Sequence, residues 1–174
     1  PRYAYVLERL AQSPEQRWRL RQLNPERVAH RKAEASRISQ AVSHMVGDFL
    51  KGLARSAPQP VLIRPTLSIQ PEPTILAQLN DQTISSIQTW LTDPATLCSN
   101  CAPNALAPML HMVGIAASRE RLTTEAFLVD YLTGNLSARS GPLAVSMDTV
   151  RELAQAYGLT LNAVELTADE LLVL

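Results

Sequence analysis

The chain has 174 residues, is 46% apolar and 18% charged, and carries no net charge. That length holds one domain with a sizeable core, or a smaller domain with a helical extension. No apolar run approaches the ~18 residues of a membrane span, and two cysteines are too few for a disulfide-stapled secreted scaffold. The zero balance hides two unlike halves. Residues 1–64 hold 12 of the 16 Lys and Arg against 5 of the 16 acids, a balance of +7, and residues 65–174 carry −7. Such halves point to two units with different partners, or to two units that attract each other. Pro1 opens the sequence without an initiator Met or a signal-peptide pattern, so a processed product or a fragment is expected.

The first stretch reads as helices. Tyr3 to Leu10 carries Val6, Leu7 and Leu10 on one face, Ser13 with Pro14 and Gln16 marks a helix start, and Asn24 with Pro25 marks another. Beyond it Ile38, Val42, Met45, Val46, Phe49, Leu50 and Leu53 recur at steps of three and four. They form one apolar stripe that something must cover, whether another chain or a continuation of this one. "SAPQPVLIRPTLSIQPEP", residues 56–73, holds five prolines. It is expected to be an extended linker, with Val61 to Ile63 as a short edge strand.

A helix is expected next from Thr74 to Leu91, with Leu76, Leu79, Ile84, Ile87, Trp90 and Leu91 as its apolar positions and Asp93-Pro94 as its stop. The cysteine segment "CSNCAPNALAPML" follows at 98–110 and leads into a helix ending near Gly114. Another helix starts at Ser118 or Thr124 and ends at Leu132, and "TGNLSARSGP" is a loop. Ser146 caps a helix carrying Val150, Leu153, Ala154 and Tyr157, which Gly158 ends. "LTLNAVEL" alternates like a strand, and Thr167 with Glu170 makes a capping box.

The chemistry of the chain rests on its cysteine pair. A structural zinc site needs four ligands, and the chain offers no second cysteine pair and only the scattered His30, His44 and His111. No metal or cofactor is therefore implied. A CxxC at a helix start can cycle between dithiol and disulfide. A thioredoxin-like arrangement would put a buried strand directly before it, whereas "SIQTWLTDPATL" reads as a helix end and a turn. In a third reading Cys101 is a nucleophile at a helix N-terminus, where free N–H groups and the helix dipole favour a thiolate. Asn100 would cap that helix, Pro103 would sit in its first turn, and Ala105, Leu106, Met109, Leu110 and Val113 would bury it. Pro108 falls inside it and implies a kink or a short first turn. A buried, inert thiol is the alternative at both positions, and the stronger one at Cys98.

"NCAPNALAPMLHMVGIAASRERL" resembles the opening of the bacteriocin-processing peptidases, papain-like cysteine peptidases that cut leader peptides after a double glycine. Asn100, Cys101, Ala102, Pro103, Ala105, Leu106, Gly114, Ser118 and Leu122 fall on that family's pattern. "SMDTVRELAQAYGLTLNAVELTADELLVL" is similar to its later helix, Gly turn, strand and acidic-Leu segment, so the resemblance covers residues 95–174. It implies Cys101 as the nucleophile, activated by a histidine that an Asp orients, with a Gln ahead of the Cys in the oxyanion hole. Ala95 stands at the position of that Gln, and the nearest upstream Gln is Gln88, on a different helix. The family's His and Asp follow the acidic-Leu segment, and none of His30, His44 and His111 matches them. His111 is expected on the exposed side of its helix.

The cluster Arg17, Arg19, Arg21, Arg27, Arg31, Lys32 and Arg37 has Trp18 as its only aromatic and Glu15, Glu26 and Glu34 interleaved. That composition fits a solvated helix surface or an acidic partner better than nucleic acid. "VRELAQAYGLTLNAV" lacks the basic recognition helix of a helix-turn-helix. The expected fold is mainly α: a basic helical extension over 1–55, the Pro-rich linker over 56–73, and the helical half of a papain-like α+β domain over 74–174. The expected function is that of a fragment or degenerate form of a papain-like cysteine peptidase, acting on leader or linker peptides through Cys101. A non-catalytic, peptidase-like assembly module and a CxxC thiol redox protein are the alternatives. A peptide substrate or a protein is the partner implied.

Overall fold

The computed structural model describes residues 25–56, 60–93, 96, 101–136 and 143–161. They are mainly α: six helices with one small antiparallel hairpin among the described residues. The expected elements at Tyr3–Leu10, Ser13–Gln16, the body of the 133–142 loop and the Thr167–Glu170 box lie outside them.

Helix α1, Pro25–Ser56, is 32 residues long, roughly 48 Å at 1.5 Å per residue. Proline is at home in a first helical turn, where its missing N–H has no partner to lose. Glu26 near the start and Arg55 near the end suit the helix dipole. Ile38, Val42, Val46, Leu50 and Leu53 are all buried, while Phe49 is half-buried and Met45 is exposed on the flank. They pack against Ile84, Ile87 and Leu91 and against Phe127, Leu128 and Val129 in one cluster. The expectation that another chain or a continuation covers the Val42/Val46/Phe49 stripe is thus corrected: the chain's own helices cover it. Periodicity showed that the face is buried, but not what buries it.

Within the Pro-rich stretch the chain forms a hairpin of β1, Val61–Arg64, and β2, Leu67–Ile69. Val61 faces Ile69, Leu62 faces Ser68, and the register shifts before Arg64 meets Leu67. Pro60, Pro65 and Pro71 all fall outside the two strands, where no ladder N–H is needed. Val61 and Ile69 are buried in the α1 cluster, so this part of the expected linker is packed against the core.

The helix expected over 74–91 is two helices, α2 at Pro73–Gln78 and α3 at Asp81–Thr92. Leu79 is extended, and the Asn80 side chain accepts from the Thr83 N–H at 2.9 Å, capping α3. An Asn side chain that caps competes with helix continuation through the same residue. The Glu72 N–H, just before α2, donates to the Leu132 carbonyl at 2.8 Å and ties this corner to the molecule.

Helix α4, Cys101–Met112, runs through Pro108 and closes with Gly114 at φ +80°. The Ile115 N–H reaches back to the Leu110 carbonyl at 2.9 Å, the six-residue bond of a Schellman end. Helix α5, Arg119–Leu132, is capped by Ser118. Every residue from Leu122 to Leu132 is buried, so α5 is the central helix rather than an amphipathic one. One side meets α1; the other meets α4 and α6, Met147–Ala156. Ser146 caps α6, and Gly158 at φ +84° ends it with the Leu159 N–H on the Ala154 carbonyl. A second cluster of Leu106, Leu110, Leu122, Ala126, Leu153 and Ala154 joins α4, α5 and α6. Leu159 to Leu161, the described part of the expected strand, belong to no sheet; the rest of that strand lies outside the described residues.

Candidate functional site

Cys101 is the first residue of α4. A cysteine there stands at the positive end of the helix dipole, the setting that lowers thiol pKa values. The helix is anchored below it. Pro103, Leu106, Ala107 and Leu110 are buried, and Leu106, Ala107 and Leu110 pack in the second cluster. The opposite side was expected to be buried too, and it is not. Ala105, Pro108, Met109, Met112 and Val113 are all exposed, Met112 to 85% and Val113 to 56%. Pro108 sits on this open side, and its ring is accommodated there without ending the helix.

The chain's three histidines are all exposed. His30 and His44 are on α1. His111, exposed as expected, lies ten residues past Cys101 on α4, roughly 15 Å along the helix axis. That separation is too long for a hydrogen bond between thiol and base. Gln88 is on α3, as expected, and its amide is engaged elsewhere. Its Nε2 donates to the Ser43 carbonyl at 3.1 Å, and the Ser43 Oγ donates to the Gln88 carbonyl at 3.1 Å. The Ser39 Oγ donates to the Leu91 carbonyl one turn away. These bonds bind α1 to α3 and leave Gln88 in a structural role. Cys98 and Ala95 lie outside the described residues. Among the described residues, the elements immediately before the pair are the helix α3 and a helical Thr96.

Two buried carboxylates escaped the sequence reading. Asp130, 1% exposed, accepts from the Ser146 N–H at 2.7 Å, from the Ser146 Oγ at 2.9 Å and from the Thr149 hydroxyl. It holds the start of α6 against α5. Glu125 accepts from Arg121 Nε at 2.9 Å and from the Tyr157 hydroxyl at 2.9 Å. The Arg64 guanidinium lies 3.4 Å from the Tyr157 ring centre and 3.7 Å from Glu125. Arg64 Nε and Nη1 have no hydrogen-bond partner among the described residues, so the guanidinium is held by charge and by the ring face. Burial first, and the Glu125 charge second, push the Tyr157 phenol up to about 12. The set joins the hairpin, α5 and the end of α6, and Tyr157 also packs in the cluster that holds Leu106 and Leu110 of α4. The Glu125 carboxylate is shared by two guanidiniums of the same chain, Arg64 and Arg121, which marks a structural clasp. No local signal reveals it, because the partners come from three separate stretches of sequence.

Among the described residues no three His, Cys, Asp or Glu side chains group as metal ligands, and no helix is long and apolar enough to cross a membrane. Comparison of the chain with protein-family models, curated proteins and solved structures returned no match.

Proposed function

We propose that the chain carries the helical half of a papain-like cysteine-peptidase unit, with Cys101 as its nucleophile position. The observation that supports this reading is that Cys101 lies in the first described turn of a helix whose Leu106 and Leu110 are buried. The landmarks behind it recur as real elements in the expected order: Gly114 in the left-handed region, the Ser118-capped α5, the Ser146-capped α6 and the Gly158 stop. The thiolate would attack the scissile carbonyl, the amine would leave with a proton, and water would hydrolyse the acyl-enzyme. A base normally contributes ~10²–10⁴-fold to such steps. His30, His44 and His111 do not supply it, so it comes from polypeptide beyond these residues or from a partner chain. The test is cleavage of a leader-type peptide containing Gly-Gly by the complete protein or its complex. Cleavage abolished by Cys101→Ala supports the reading; cleavage unchanged in Cys101→Ala refutes it.

A second reading, a non-catalytic peptidase-like assembly module, is favoured by the open apolar side of α4. Residues 94–118 contain no Asp, Glu, Lys or Arg, and depletion of charge with exposed Met is the composition of an interface core. In this reading Cys101→Ser leaves complex formation intact. The CxxC redox alternative has less support, since no strand precedes the motif among the described residues that follow the hairpin.

A further inference from the structure

We draw no further inference here: the strongest candidate, the exposed apolar side of α4 formed by Met109, Met112 and Val113, already carries the assembly reading, and nothing in the structure shows what covers it.

Discussion

Tyr157 shows how one residue reports on the buried clasp. Its phenol is held protonated by burial and by the Glu125 carboxylate, which accepts its proton at 2.9 Å. The folded-state pKa lies above the ordinary value of 10, at about 12. The linked stability is therefore fully present below pH 10 and is lost as pH rises from 10 through about 12. An alkaline titration followed by phenolate absorbance should show Tyr157 ionising only in that upper range, together with unfolding, with buried Tyr131 also shifted upward. In Glu125→Gln, which removes the charge and keeps the shape, that ionisation should move down. An unchanged titration would mean that the Glu125 charge does not act on this phenol. None of this was legible in the sequence, because Glu125 and Asp130 sit among the apolar residues of α5 and their partners are distant in the chain.

Caps and stops are where the sequence spoke most clearly about elements. Ser118, Ser146, Gly114 and Gly158 all lie where local chemistry places them, since capping and left-handed φ depend on a few adjacent residues. The break at Asn80 was hidden by apolar spacing that runs on through Leu79, although the Asn80-to-Thr83 cap was present in the text of the sequence. The α1–α3 contact supplies a quantitative test. A Cβ at Gly47 would stand 2.1 Å from the Gln88 Nε2, so Gly47→Ala displaces the amide from the Ser43 carbonyl. Helix propensity gains ~0.8–1 kcal/mol from the change, and the lost bond costs ~0.5–1.5 kcal/mol. Gly47→Ala alone should be near neutral in denaturant unfolding. In a Gln88→Ala background the clash is gone, and the same change should stabilise by about 1 kcal/mol. Equal effects in both backgrounds would show that Gln88 does not lie over Gly47.

For the whole molecule, the charge asymmetry resolves in part into contacts between the halves. Arg37 of α1 meets Glu120 of α5 at 2.7 Å in that sense, whereas Glu34 with Arg119 at 2.8 Å pairs the opposite way round. Each pair has an arginine open to solvent, so each contributes little to stability and serves more to orient the helices. The apolar stripe of α1 is largely satisfied within the chain, and among the described residues the outer side of α4 groups three exposed apolar side chains, Met109, Met112 and Val113. Met112→Glu should leave thermal stability within about 0.5 kcal/mol, because the side chain is open to solvent. In the assembly reading the same change should abolish capture of the partner; retained capture would remove that face from the interface. From the sequence alone the helix through Cys101, its buried Leu106 and Leu110 and its exposed His111 were legible in the candidate site. Which other sides of that helix are covered depends on contacts too far apart in the chain to be read locally.

The most direct test of the central claim is the pH dependence of alkylation at the two cysteines. Iodoacetamide would be reacted with the native chain across a pH series, and Cys98 and Cys101 quantified separately by peptide mass spectrometry. A helix-start thiolate predicts that Cys101 reacts with an inflexion clearly below the ordinary ~8.5 and faster than Cys98 at neutral pH. An inflexion at or above that value, or a Cys101 that reacts only after unfolding, would mean an inert buried thiol and would contradict the account.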